Sequence, residues 1–156
     1  MGGEFGQWGE WNHDTSLDWN LLEWPSHRGV QQMVDDLNRI YRNEPALHQG
    51  DCEGYGFEWI DANNGDQSVT AFLRKGREKN DVLLIVMNYT PVLRNNYRIG
   101  LPIGGTWKEI FNSDSKEFWG TGDVFNPDIK AEKVNKDDKW YKLKIHLPAL
   151  SAVVIR

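Results

Sequence analysis

The sequence predicts a mainly β protein, in which an antiparallel β-sandwich is preceded by one helix. Three observations support this fold class. Residues 26–45 carry an apolar stripe with helical spacing, residues 55–156 contain short segments in which apolar and polar residues alternate, and Gly, Pro, Asn and Asp separate those segments. A chain of 156 residues is long enough to bury a sizeable core.

The helix is predicted over residues 26–45. Its apolar side chains recur at the i, i+3, i+4 and i+7 spacing of one stripe and are Val30, Met33, Val34, Leu37, Ile40 and Tyr41. Ser26 is a candidate N-cap, because its hydroxyl can accept a hydrogen bond from the first turn. Pro45 is expected to end the helix, since it has no N–H to donate and disfavours helical geometry at Glu44.

Eight segments are predicted as strands. They are residues 55–61, 67–76, 82–90, 96–102, 106–114, 129–134, 140–148 and 151–156. Alternation in the seventh predicts inward side chains at Tyr141, Leu143, Ile145 and Leu147. Residues 82–87 are apolar without alternation, which is typical of a central strand covered on both faces. The sequence NNGD at 63–66 predicts a hairpin turn, because Asn and Gly adopt positive φ at little cost.

The chain is expected to divide into residues 1–50 and residues 55–156. A single helical stripe cannot enclose a core. The stripe must therefore pack either against the sandwich or against protein outside this chain.

Charge and cysteine content exclude several classes of function. Residues 1–54 carry three Arg against ten acids, and residues 55–156 carry fifteen Lys or Arg against thirteen acids, so a nucleic-acid partner is not expected. Cys52 is the only cysteine, which fits a cytoplasmic protein without an internal disulfide. No apolar run approaches the ~20 residues of a membrane helix, and the N-terminus lacks the pattern of a signal peptide.

The opening segment, residues 2–19, carries the strongest chemical signal. It contains three Trp, four acids and no Lys or Arg. Sugars offer hydroxyls that carboxylates and amides bind, and C–H faces that lie against aromatic rings. Two interpretations stay open, because the rings could equally pack the segment onto a scaffold while the acids are solvated. Glycoside chemistry needs two carboxylates about 5.5 Å apart for retention, and nothing in the spacing selects such a pair.

Other patterns are weaker. The four His lack metal-ligand spacing, so neither a metal nor a cofactor is predicted. Four aromatic residues of the sandwich form either an outer platform for sugar or internal packing: Trp107, Phe118, Trp119 and Trp140.

The segment MGGEFGQWGEWNHDTSLDWNLL resembles the part of 1,4-α-glucan branching enzymes, in the α-amylase superfamily, that ends the last strand of the catalytic (β/α)8 barrel. The resemblance continues through HRGVQQMVDDLNRIYRNEPALH to the closing LPALSAVVIR. It implies that residues 1–6 end that strand, 7–24 form the following loop, 26–45 form the last barrel helix and 55–156 form a C-terminal β-sandwich. It also implies that this chain is the C-terminal part of a longer enzyme, with Met1 internal.

Branching enzymes transfer an α-1,4-glucan segment to a 6-hydroxyl, which forms α-1,6 branches in glycogen by a retaining reaction. The family's catalytic carboxylates precede the matched region, so no catalytic residue is expected in this chain. Its partners would be α-glucan and the upstream barrel. By position, the implied substrate-binding residues are Glu4, Gln7, Trp8, Trp11, Asn12 and Asp14, with Glu4 orienting neighbouring loops. Gly9 lies where many relatives have a larger side chain. The alternative is a free-standing glucan-binding or structural β-sandwich without catalysis.

Overall fold

A computed structural model describes residues 1–133 and 135–156. The helix α1 spans Pro25–Asn43. The strands are β1 Phe57–Asn64, β2 Val69–Lys75, β3 Val82–Asn88, β4 Arg94–Leu101, β5 Gly105–Trp107, β6 Glu109–Asn112, β7 Ile129–Lys133, β8 Tyr141–Leu147 and β9 Ser151–Ile155. The predicted mainly β fold is confirmed, and Val134, the last residue of the predicted strand 129–134, lies outside the described residues.

The strands form two sheets with antiparallel pairing throughout. One has the order β1-β2-β3-β9-β6 and the other the order β4-β8-β7-β5. Their facing sides enclose the main core, which includes Leu73 of β2, Leu84 of β3 and Ile145 of β8. In β8 the predicted alternation is confirmed, since Leu143, Ile145 and Leu147 are fully buried and Tyr141 packs against the same cluster.

Strand β3 is central, as its unbroken apolar run predicted. Leu84 and Val86 face the core between the sheets, whereas Leu83 and Ile85 face the opposite side. On that side Ile40 of α1 packs against Leu83 and Ile85. The helical stripe is therefore covered by the sandwich of this same chain at its C-terminal end.

Near its start, α1 packs closely against the sandwich at a glycine. Gly29 is buried, and a Cβ built on it would lie 2.6 Å from the carbonyl carbon and oxygen of Phe118. Phe118 belongs to a short 3-10 turn, Lys116–Phe118, and its ring stacks on Phe111 of β6 at a centroid distance of 5.5 Å. The absence of a side chain at Gly29 thus sets how closely the helix and this turn can pack.

The helix start and one turn differ from the sequence predictions. Trp24, not Ser26, occupies the N-cap, and it makes no side-chain cap bond. Pro25 takes the first helical position, where its fixed φ is favourable and its missing N–H costs nothing. The β1–β2 hairpin forms as predicted, but the NNGD prediction misplaces its turn, because β1 continues to Asn64 and the positive φ falls on Ser68, at 48°.

The predicted strand 106–114 is divided between the two sheets. Its first part, β5, pairs with β7, and its second part, β6, pairs with β9. Lys108 lies at the crossing, where it exchanges backbone hydrogen bonds of 2.7 and 2.8 Å with Arg156. Alternation continues across such a crossing, so the hydrophobic pattern alone does not reveal it.

Asn126 connects the two sheets. It is 1% exposed, its Nδ2 donates to Glu109 Oε2 at 2.6 Å and to the His146 carbonyl at 2.9 Å, and its Oδ1 accepts from the His146 N–H at 2.7 Å. Glu109 lies in β6 and His146 in β8. These bonds fix the long β6–β7 connection across one edge of the sandwich.

Glu109 is a buried carboxylate whose charge is only partly compensated. Burial raises its pKa above the ordinary value of 4.5, and the two hydrogen bonds from Asn126 oppose that rise. The folded state therefore binds the proton more tightly than the unfolded chain. Its contribution to the free energy of unfolding falls as the pH rises from 4.5 through the folded-state pKa.

We expect Glu109→Gln to stabilise the protein at pH 7, because the glutamine carbonyl can still accept from Asn126 while the buried charge is removed. The stabilisation should shrink as the pH falls toward 4, where the carboxyl of the wild type is itself protonated. Urea denaturation at several pH values measures this, with exposed Glu132→Gln as the control. A stability difference that stays constant with pH would contradict the assignment.

Candidate carbohydrate-binding loop

Residues 1–6 do not form the strand end that the resemblance implies. Residues Gly3–Phe5 form a 3-10 turn, and the N–H groups of Gly6 and Gln7 donate back to Gly3 and Gly2 at 3.2 and 2.9 Å. Gly2 and Gly6 hold φ values of 87° and 66°, which favour glycine. The backbone bonds are thus made within the turn, so no neighbouring strand is needed to satisfy them.

Phe5 and His27 attach this turn to the helix. Phe5 is 2% exposed, and His27 Nδ1 donates to its carbonyl oxygen at 2.8 Å. The carbonyl can only accept, so the bond places a proton on Nδ1. The ring of Trp8 meets His27 edge-on at 5.5 Å, and Trp19 meets Phe5 at 5.3 Å. Sequence analysis missed His27, although it lies three residues before Val30 and so on the predicted stripe.

Gln7 holds the base of the Trp-rich loop, which we define as residues 7–24. Its Oε1 accepts from the backbone N–H of Asp18 at 2.9 Å, and its Nε2 donates to the Gly9 carbonyl at 3.1 Å. Gln7 is half-buried and its amide is engaged at both ends. In this conformation it positions the loop.

Trp11, Asn12 and Asp14 lie together at the tip of the Trp-rich loop. The Asn12 side-chain oxygen accepts from the N–H of Asp14 at 3.0 Å, which closes a local turn. His13 lies between the other two, with its ring 6.3 Å from that of Trp11 and its Nε2 3.1 Å from the Asp14 carboxylate. The structure therefore brings three of the six predicted residues into one exposed group.

Trp8 and Glu4 lie apart from that tip group. Trp8 is 81% exposed beside His27, and no hydrogen bond or ring contact among the described residues joins Glu4 to Trp8 or Trp11. Backbone hydrogen bonds, first from its own N–H, lower the pKa of Glu4. Glu4 is thus an exposed anion at neutral pH, on the short turn that precedes the loop.

The surface of residues 1–24 combines exposed rings with carboxylates and contains no Lys or Arg. Trp8, Trp11, Trp19 and Trp24 are all at least half exposed, five acids accompany them, and the first Lys or Arg of the chain is Arg28. Such a surface can stack on the C–H faces of a neutral polyol and accept hydrogen bonds from its hydroxyls. It repels anionic ligands.

The four aromatic residues that were considered as an outer platform for sugar differ in their exposure to solvent. Trp107 is 3% exposed and lies in the main core, so its ring cannot meet a sugar, whereas Phe118 is partly buried and packs against Phe111. Trp119 and Trp140 are 68% and 50% exposed. Within residues 1–133 and 135–156, no group of His, Cys, Asp or Glu is placed to hold a metal ion, and no helix is long and apolar enough to cross a membrane.

Comparison with known families identifies the larger part of the chain. Residues 59–156 match the family model described as alpha amylase, C-terminal all-beta domain, which is more than half of the sequence. The chain belongs to this family. The matched region begins inside β1 and includes every later strand.

Individual relatives are also similar to residues 1–58, which the family model does not match. It is 49% identical over 156 residues to a 1,4-alpha-glucan branching enzyme GlgB of Aquifex aeolicus and 51% identical to one of Cereibacter sphaeroides. All or nearly all of the chain is covered, but it spans only 25% and 21% of those relatives. It is thus homologous to their C-terminal region. A solved alpha-amylase from H. orenii is also similar, at 19% identity and a TM-score of 0.48, with 81% of this chain and 20% of that chain covered.

Proposed function

We propose that this chain is the C-terminal part of a 1,4-α-glucan branching enzyme, in which residues 1–50 complete the catalytic barrel and residues 55–156 form the attached sandwich. The observation that carries the proposal is the 49% identity over all 156 residues to a named branching enzyme, including the Trp-rich loop that lies before the family model's match. We place the enzyme in the cytoplasm, where a single exposed cysteine stays reduced.

The proposed reaction breaks an α-1,4 bond, forms a covalent glucosyl-enzyme and transfers that segment to a 6-hydroxyl of an acceptor glucan. The nucleophile and the acid belong to upstream parts of the barrel. Loops that follow barrel strands lie at the catalytic face. The Trp-rich loop then holds the neutral glucan, with Trp8 and Trp11 against sugar faces and Asn12 and Asp14 binding hydroxyls.

This assignment is tested by comparing the isolated chain with the full-length enzyme on amylose. The full-length enzyme should form α-1,6 bonds, counted after debranching. The purified 156-residue chain should form none, because the catalytic carboxylates of branching enzymes precede the region that this chain matches. Branching by the isolated chain would contradict the absence of catalytic residues, and an unbranched product from the full-length enzyme would contradict the proposed activity.

We expect Trp11→Ala in the full-length enzyme to lower kcat/KM for amylose about tenfold, which corresponds to ~1.4 kcal/mol. The ring is 52% exposed, so its loss removes ligand contact more than internal packing. Trp8→Ala should act in the same direction. Tyr89→Ala, an exposed aromatic residue on the sandwich, is the matched control. Unchanged kinetics in both Trp variants would exclude a substrate role for these rings.

A further inference from the structure

The outer face of the four-stranded sheet carries cations on three neighbouring strands. Arg98 of β4 lies directly opposite Lys144 of β8, and their neighbours Ile99 and Leu143 are buried on the inner side. Lys144 also shares a shallow hollow of about 410 Å³ with Lys130 of β7. Like charges placed directly opposite across a sheet destabilise it.

Those cations are not neutralised by ion pairs. None of the salt bridges among residues 1–133 and 135–156 involves Arg98, Lys130, Lys142 or Lys144. Two acids lie nearby. Glu132 is opposite Lys142, and Asp138 lines a hollow with Arg98 and Lys142, so the four cations face two carboxylates and keep a net positive charge. The surplus of positive charge is therefore available to a ligand.

An exposed tryptophan lies at the end of this row of cations. Trp140 is 50% exposed and lines a hollow of about 340 Å³ together with Arg98, Gly100 and Lys142. Its Cε3 lies 3.7 Å from the position that a Cβ on Gly100 would take. The indole thus lies over the one residue of β4 without a side chain, and half of its surface stays open to solvent.

We propose that this surface binds α-glucan that carries phosphate monoesters. We call it the basic face and define it as Arg98, Lys130, Trp140, Lys142 and Lys144. The proposal rests on the proposed function, because it identifies the ligand as a glucan. A glucose ring stacks on Trp140, while the phosphate binds to Arg98 and the neighbouring lysines.

The spacing and chemistry of the basic face fit such a ligand. Neighbouring strands lie ~4.8 Å apart and side chains two residues apart on a strand ~6.8 Å apart, so one phosphate can contact cations on two strands. Arginine adds two parallel N–H donors for phosphate oxygens. The anionic Trp-rich loop repels phosphate, so the two surfaces would divide neutral and phosphorylated chain segments between them.

The test is affinity electrophoresis of the 156-residue chain in gels that contain amylopectin with phosphate monoesters or the same amylopectin after phosphatase treatment. We expect the phosphorylated form to bind at least fivefold more tightly at low salt, with the difference diminishing as salt rises. The double variant Arg98→Ala, Lys144→Ala should lose the phosphate-dependent part only. The control Arg77→Ala, Lys79→Ala removes the same charge from the exposed β2–β3 turn and should retain it.

Three outcomes would overturn the inference. They are equal retention by the two glucans, a phosphate effect unchanged in the double variant, and a phosphate effect unchanged in Trp140→Ala at equal folded fraction. Polyglutamate that competes as well as phosphorylated glucan at equal charge would assign the basic face to an acidic peptide instead. The proposed function is judged separately, by branching of phosphate-free amylose in the full-length enzyme, so the two failures are distinguishable.

Discussion

Replacing Asn126 by alanine should lower the free energy of unfolding by about 3–4 kcal/mol. The variant loses the Asn126 side-chain bonds to Glu109 Oε2 and to both backbone groups of His146. The His146 N–H and the Glu109 carboxylate then lose partners in a buried place, where an unmet hydrogen bond costs far more than at the surface. The pKa of Glu109 should rise further, because a hydrogen bond that lowers it is removed.

Urea denaturation at pH 7 measures this loss. Asn63→Ala is the matched control, because Asn63 is exposed and makes no side-chain hydrogen bond among the described residues. Adding Glu109→Gln to the alanine variant should recover part of the loss, since the buried side chain, which then keeps only the bond from the backbone N–H of residue 126, is neutral. A change below 1 kcal/mol, or no recovery in the double variant, would contradict the role given to these bonds.

Replacing Gly29 by alanine should lower the free energy of unfolding by about 2–3 kcal/mol. Alanine is intrinsically better than glycine in a helix by about 1 kcal/mol, so propensity alone predicts the opposite sign. Packing decides the outcome. The new Cβ would lie 2.6 Å from backbone atoms of Phe118 and 2.9 Å from the Trp119 Cβ, and backbone cannot rotate away as a flexible side chain can.

Thermal unfolding together with tryptophan fluorescence checks this prediction. Gly54→Ala is the control, since nothing lies within 4 Å of its Cβ position and its φ is not positive. A crystal structure of Gly29→Ala should show α1 displaced from the Lys116–Phe118 turn. A variant at least as stable as the wild type would mean that this close contact does not limit the helix position.

The fold class followed from periodicity, because burial on one side of a strand or helix leaves a direct mark on the sequence. The end of the helix shortly before Pro45, the central position of β3 and the alternation of β8 are all local consequences of backbone chemistry and burial. The crossing at Lys108 left no such mark. Trp107 of β5 and Phe111 of β6 are both buried, although they belong to different apolar clusters, so only the partner strands distinguish β5 from β6.

The Trp-rich loop was predictable in composition but not in shape. Exposed rings and carboxylates could be identified from the residue types. The conformation depends on Gln7, which binds a backbone N–H eleven residues away, and on His27, which binds a carbonyl twenty-two residues away. Neither bond has a periodic signature. Asn126 illustrates the same limit in the sandwich, since a single Asn in a long connection does not indicate that it joins two sheets.

The start of α1 is held on two sides within three residues. His27 binds the carbonyl of Phe5 on one side, and Gly29 meets Phe118 on the other. Along the helix axis these contacts are only about 3 Å apart. The Lys116–Phe118 turn of the sandwich and the turn before the Trp-rich loop are therefore both fixed to the start of α1, so we expect a displacement of one to move the other. In the proposed enzyme, we expect a substitution in the sandwich near Phe118 to change the orientation of Trp8 and Trp11 without altering any residue that contacts glucan.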